Sequence, residues 1–221
     1  MTRCRFSDTR PAEGTRVRGA ARQRLNDSVS VRIPSSELRD DLLVLRAWNP
    51  DSEGDVAAMF AGVTDTEFTR WNTPNQTIAS EAEAAASLRR RQAQQRDGKG
   101  VAFCITDGVD GTILGHVALN AIDWHMLRAQ VAFWLLPIGR GRRLSARALG
   151  LVSQWAFETL GLHRLELYHA IGNEPSCRTA ERCGYAYEGV LRDRMFASGD
   201  RDRFRDAHLH ARLATDAPPK T

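Results

Sequence analysis

Lysine is nearly missing from this chain: Lys99 and Lys220 are the two lysines among 31 basic residues. None stands near the one Gly/Arg-rich loop, residues 138–143. That excludes a P-loop, whose Gly-Lys-Ser/Thr run must reach the terminal phosphates of a nucleotide. A third glycine is missing as well. Gly139-x-Gly141 is followed three residues on by Leu144, so the dinucleotide fingerprint fails, although Glu166 lies at about the right distance to mimic its ribose-binding acid. Cysteine is sparse. Cys4, Cys104, Cys177 and Cys183 show no CxxC spacing, which argues against a disulfide framework and for reduced thiols in a cytoplasmic protein. No apolar run approaches the ~18 residues of a membrane span, and the N-terminus has arginines but no apolar h-region, so neither membrane insertion nor secretion is expected.

What is present fits one domain with a tail. The 221 residues are 42% hydrophobic, enough for a full core. The net charge of +4 is unevenly spread. Residues 1–32 hold eight arginines against Asp8, Glu13 and Asp27, whereas the remainder is close to neutral. Residues 1–38 therefore read as a disordered arginine-rich extension, and 215–221 as a disordered tail. Such an arm suits contact with RNA, for instance a ribosome surface, or is a passive extension; it lacks aromatics to stack on bases.

Between these tails the pattern alternates. Asp41 to Trp48 reads as a strand ended by Asn49-Pro50, then a short helix with Val56, Met59 and Phe60 inward. Phe68 to Trp71 leads into a turn-rich connection through Gln76. Ser80-x-x-Glu83 has capping-box form and opens a helix to about Arg96. Val101–Thr106 and Ile113–Leu119 form a hairpin across Asp107-Gly108 and Asp110-Gly111. Gln130–Leu136 is a strand, Leu144–Leu160 a helix stopped by Gly161, and Arg164–His169 a strand. A short helix runs from Asn173 to Gly184, and Tyr185–Leu191 and Ala207–Leu213 close the chain. This order gives a mixed α/β domain with at least one parallel crossover.

Its centre is FWLLPIGRGRRLSARALGLVSQWAF. An apolar strand, Val131 to Leu136, is stopped by Pro137 and empties into Ile138-Gly139-Arg140-Gly141-Arg142-Arg143, which opens directly onto a helix. Unpaired first-turn N–H groups, the helix dipole and close backbone approach at glycine suit a phosphorylated ligand, and three arginines add charge-assisted bonds. A solvated basic loop capping a core strand is the alternative.

The succession AFWLLPIGRGRRLSARAL, WAFETLGLHRLEL and GNEPSCRTAERCGYAYEGVLRDR, with Phe204-Arg-Asp206 before the last strand, resembles the GNAT superfamily of acyl-CoA N-acyltransferases. Within it the chain is similar to the branch of ribosomal-protein N-acetyltransferases (Rim type). The resemblance covers about residues 42–214. It implies a single GNAT-type α/β domain: a mixed, mostly antiparallel sheet with one parallel, splayed strand pair and helices on both faces. It also implies acetyl-CoA as co-substrate, no metal, no membrane, a monomer or homodimer, and direct transfer to a protein N-terminus or small-molecule amine. A binding or sensory module with the same fold and little turnover is the rival reading.

Residue by residue, the resemblance places the coenzyme pyrophosphate on Arg140, Gly141, Arg142, Arg143, Leu144 and Ser145, and the pantetheine beside Trp134, Leu135 and Leu136. Arg143 replaces a family glycine. Gln130 stands where the branch often has a glutamate base; Asp123, His125 and Glu166 are the substitutes. Ser176 matches the branch's donor to the coenzyme sulfur, since the tyrosine position of other members is Ala180. Asn173 caps the helix and reaches the pantetheine, with Arg178 and Arg182 within range of phosphates. Trp71 and Trp124 are candidate walls of the acceptor cleft. Cys177 has no histidine at a recognisable spacing, and His208-x-His210 lacks an evident third ligand, so neither a Cys/His dyad nor a metal is expected.

Overall fold

The computed structural model describes residues 32–72, 77–198 and 200–219. Most of the arginine-rich arm, part of the connection before Ser80 and the end of the C-terminal tail lie outside the described residues. In chain order the elements are β1 (Leu38–Arg39), β2 (Leu43–Ala47), α1 (Glu53–Thr64), α2 (Thr66–Trp71), α3 (Glu81–Arg96), β3 (Val101–Asp107), β4 (Ile113–Asp123) and β5 (Arg128–Leu135). A 3-10 turn (Pro137–Gly139), α4 (Leu144–Glu158), β6 (Arg164–Ala170), α5 (Glu174–Arg182), β7 (Ala186–Ala197) and β8 (Asp200–Leu213) complete it.

The eight strands form one sheet in the order β1-β2-β3-β4-β5-β6-β8-β7. Every neighbouring pair is antiparallel except β5/β6. A parallel pair needs a crossover, and α4 supplies it. Side-chain alternation along the strands then builds two apolar layers. On one face Leu144, Ala148, Leu149, Val152 and Trp155 of α4 pack on Phe103, Leu119, Val131, Leu165 and Leu167. On the other, Val56 and Met59 of α1 and Ala84 and Leu88 of α3 pack with Trp48 and Trp134. This is the mixed sheet with helices on both faces and one parallel pair that the sequence led us to expect. No helix among the described residues is long and apolar enough to cross a membrane.

Local chemistry sets the helix starts. Ser80 Oγ accepts from the Glu83 N–H at 3.3 Å, while the Glu83 carboxylate reaches back to the Ala79 N–H, one residue before the cap. Asp65 caps α2 by accepting from the Glu67 and Phe68 N–H groups, so the segment read as the start of a turn-rich connection is a short helix. Six residues are too few to show a helical period. Ile33, only 4% exposed, joins the core, and β1 pairs with β2, so the packed body begins ahead of the boundary set at residue 42. The last two strands also run further, to Ala197 and from Asp200. Their outer halves are a charged two-stranded ribbon with no apolar alternation to reveal them.

Candidate active site

The parallel pair β5/β6 is joined over only three register positions, Arg128↔Arg164, Ala129↔Leu165 and Gln130↔Glu166. Beyond Gln130, β5 pairs with β4 alone and β6 with β8 alone. The two strands therefore open into a V whose arms end at Leu135 and Ala170. Both arms empty into helix N-termini: β5 through the 3-10 turn into α4, and β6 through Ile171-Gly172 into α5.

The loop before α4 presents a run of unpaired backbone amides. Gly141 (φ +76°) and Arg143 (φ +59°) are both left-handed, which turns successive N–H groups toward one side. Among the described residues, no N–H from Gly141 through Ser145 has a hydrogen-bond acceptor. The arginines divide the work. Arg140 is committed to structure: its Nε donates to the Leu135 carbonyl at 3.1 Å and its guanidinium pairs with Asp65. Arg142 lies 3.7 Å from Asp107 and is half exposed. Arg143 is exposed and has no ion-pair partner among the described residues. Leu144 contributes only its amide, because its side chain is buried in the core.

The start of α5 faces the same opening. Asn173 caps it, accepting from the Ser176 N–H at 3.3 Å. Ser176 is half-buried, and its hydroxyl has no hydrogen-bond partner among the described residues. The two helices are pinned together further along: Ser145 Oγ lies 3.2 Å from Thr179 Oγ1, and the Cys183 thiol donates to the Ala146 carbonyl at 3.2 Å. Burial pushes the Cys183 thiol up to about 11, so it stays protonated to do this. The same packing sets the last turn of α5, which carries the exposed Arg182, against the first turn of α4. Arg178 instead pairs with Glu174 at 3.5 Å.

A V-shaped gap in a sheet, flanked by an amide-lined loop, matches a known domain. The family model described as "Acetyltransferase (GNAT) domain" matches residues 43–186. The chain belongs to this acetyltransferase family. YdaF of Bacillus subtilis (strain 168), a protein provisionally named a ribosomal N-acetyltransferase, is 31% identical over 90 residues, 41% of this chain and 49% of its own. Spermidine N(1)-acetyltransferase of Vibrio cholerae is 24% identical over 95 residues, 43% of this chain and 55% of its own. The chain thus spans about half the length of these two curated relatives. Among solved structures, Mycobacterium smegmatis RimJ in complex with CoA-disulfide has a TM-score of 0.72 at 21% identity, covering 84% of this chain and 89% of that one.

In this GNAT domain the remaining sequence-based candidates separate into two groups. Gln130 sits at the apex of the V, where its Oε1 accepts from the Tyr168 hydroxyl at 3.2 Å. Its register partner Glu166 lies on the same face, opposite α4, and is bound by Arg164 (2.7 Å), which also forks onto Glu188 at 2.6 and 2.9 Å. Tyr168, Glu188 and Arg194, whose guanidinium stacks 4.2 Å above the Tyr168 ring, are apex residues that sequence reasoning missed. Trp71 is at the outlet of β6, its indole within 4 Å of the Cβ position of Gly172. Trp134 lends only backbone to the gap. Its indole stacks on His116 at 5.4 Å and packs so tightly on α1 that a Cβ on Gly62 would come within 2.2 Å.

Asp123, His125 and Trp124 are not brought to the opening. They sit on the β4–β5 hairpin, where Asp123 is level with Arg128, roughly 7 Å along β5 from Gln130 and on the closed side of the apex. Asp123 accepts from the Met126 N–H and lies 3.4 Å from Arg128; that N–H, more than the ion pair, keeps its carboxyl below the usual range. The Trp124 indole donates to the Gly98 carbonyl at 2.7 Å and packs on the main core.

The reading of Cys177 and the paired histidines needs correction. Cys177 Sγ stands 3.8 Å from His210 Nε2, and His169 joins the pair His208 and His210. The strand pairing β6/β8 sets His169 directly opposite His208, a contact between residues 39 positions apart that spacing along the chain cannot show.

Proposed function

We propose that this chain transfers an acetyl group from acetyl-CoA directly to a primary amine. The observation that carries the reading is the run of five N–H groups, Gly141 to Ser145, unspent among the described residues, beside the parallel, splayed pair β5/β6. The pyrophosphate would take these amides, with Arg142, Arg143 and Arg182 adding charge. The pantetheine would lie along the free edge of β5 at Trp134, Leu135 and Leu136, where backbone groups polarise the thioester carbonyl.

The chemistry needs one proton removed and one leaving group stabilised. The amine nitrogen attacks the thioester carbon, the tetrahedral intermediate collapses, and the C–S bond breaks. Ser176, at the first turn of α5 with its hydroxyl free, donates a hydrogen bond to the departing thiolate. Of the residues weighed as base, Glu166 is the one at the apex, on the face away from α4; it accepts the ammonium proton through water. Glu166 and Glu188 share Arg164, so the apex group is charge-balanced and does not by itself select the acceptor. A protein N-terminus and a polyamine both qualify, and the names of YdaF and the spermidine enzyme support each in turn.

A calorimetric titration with acetyl-CoA, followed by thiol release with an N-terminal peptide or a polyamine, tests this. Saturable binding with acceptor-dependent thiol release is the expected result. Binding without turnover on any amine would leave the rival, a coenzyme-binding module, to which the carboxamide of Gln130 at the apex already points. Absence of binding to the folded protein would end both readings.

A further inference from the structure

We propose that His169, His208, His210 and Cys177 bind one Zn2+ ion as a closed, tetrahedral structural site that braces α5 against the sheet. The four ligand atoms, one from each residue, already lie within 4.8 Å of one another. A zinc ion with three imidazole nitrogens and one thiolate needs roughly 3.3–3.6 Å between ligand atoms, from Zn–N near 2.0–2.1 Å and Zn–S near 2.3 Å. Cys177 Sγ and His210 Nε2, at 3.8 Å, are almost at that spacing. Small rotations of the other two side chains close the set.

Two histidines are already oriented as ligands. His169 Nδ1 lies 3.0 Å from the Ala170 carbonyl, and His210 Nδ1 lies 3.3 Å from the Tyr185 carbonyl. A carbonyl only accepts, so both Nδ1 atoms carry the proton and both Nε2 lone pairs point away from the backbone. This is how metal-bound histidines are commonly held, by a second bond that fixes tautomer and ring orientation. The inner atoms are otherwise stranded. His169 Nε2 and His208 Nδ1 are buried with no hydrogen-bond partner. Burying such groups unpaired is costly, and a shared cation satisfies them together.

The origin of the cluster is topological. His169 ends β6, His208 and His210 alternate onto one face of β8, and α5 lies over that face with Cys177 in its first turns. Cys177 and His208 are half-buried, which leaves a path for the ion. One soft thiolate with three imidazoles in tetrahedral array selects zinc over magnesium or calcium. Four protein ligands leave no open position, so the ion acts on structure, holding α5, and Ser176 beside Cys177, at a fixed distance from β6. The Cys177 thiol lies 3.7 Å from a Glu181 carboxylate oxygen. Binding replaces the thiol proton by the metal, so one proton is released per ion.

The test uses the full chain stripped by a chelator and titrated with Co2+ and then Zn2+. One Co2+ per chain should bind with the strong visible bands of a tetrahedral site and a sulfur-to-cobalt charge-transfer band. Stoichiometric Zn2+ should displace it, with one proton released at neutral pH. Cys177→Ser should abolish the charge-transfer band, and His208→Gln should weaken Zn2+ at least about tenfold. Weak octahedral Co2+ spectra, or a Cys177→Ser spectrum like that of the parent, would overturn the proposal. Should a variant not fold, X-ray absorption of the zinc-loaded parent decides: three nitrogen and one sulfur neighbours support the site, and nitrogen and oxygen alone refute it. None of these readouts depends on acetyl transfer, so a failure here leaves the proposed function untouched, and the reverse.

Discussion

Arg140, in the loop ahead of α4, pairs with Asp65, the residue that caps α2. The guanidinium also holds the Leu135 carbonyl, so one side chain ties the end of β5, the loop before α4 and the helix carrying Trp71 into a single unit. The pair is therefore a geometric device more than a phosphate contact.

That assignment has a pH signature. Burial alone would raise the Asp65 carboxyl, but Arg140 and the Phe68 N–H outweigh it and hold the group below its usual range. A carboxyl depressed in the folded state stabilises above its unfolded value, near 4, and the contribution is lost as pH falls through the folded value. Asp65→Asn keeps a capping oxygen and removes the charge. It should cost about 1 kcal/mol at pH 7 in urea unfolding, and the difference from the parent should vanish in strong acid. A difference independent of pH would show that the charge is irrelevant.

Arg143 occupies a left-handed conformation that costs a non-glycine residue roughly 1–2 kcal/mol, partly offset because glycine loses more chain entropy on folding. Arg143→Gly should therefore raise stability by about 0.5–1 kcal/mol. It should leave acetyl-CoA affinity within about threefold of the parent, with a shallower dependence on salt, since strain relief and lost charge oppose each other. A large loss of affinity would instead show that its guanidinium is a principal phosphate ligand.

Gly62→Ala tests the packing behind the gap. The added Cβ meets the Trp134 indole at 2.2 Å in a layer that also holds Trp48, His116 and Phe68. Overpacking of this kind costs about 1–3 kcal/mol. The urea midpoint should drop accordingly, and near-ultraviolet circular dichroism should report the displaced indole. An unchanged midpoint would mean that α1 can shift without penalty.

Two active-site substitutions separate the roles proposed for the apex and for α5. Ser176→Ala should lower kcat more than it weakens acetyl-CoA binding, because its hydrogen bond strengthens as the thiolate forms. Glu166→Gln should reduce kcat/KM by about 10²-fold or more. Asp123→Asn, on the closed side of the apex, should leave kinetics unchanged. Activity lost in Asp123→Asn but kept in Glu166→Gln would reverse the assignment of the base.

The site was partly legible in the sequence because some of its chemistry is local. Strand, proline, Gly/Arg loop and helix follow one another within residues 131–144, and a capping asparagine three residues before a serine is read directly. The Cys177–His210 approach, the apex grouping of Gln130, Glu166, Tyr168 and Glu188, and the place of Asp123 on its closed side were not. Each depends on which strands lie side by side, and the residues concerned are scattered between 123 and 210.

By itself the sequence determined most of the elements, through period, caps and turn residues, and the family, through the combined run of motifs from the strand before the loop to Leu191-Arg192-Asp193. Tertiary structure alone decided where β5 and β6 part, which arginine is spent on Asp65, and that three histidines and a cysteine face one another. The physical reason is that local backbone preference acts over a few residues, whereas strand pairing and helix docking bring together groups whose separation along the chain carries no information about their separation in space.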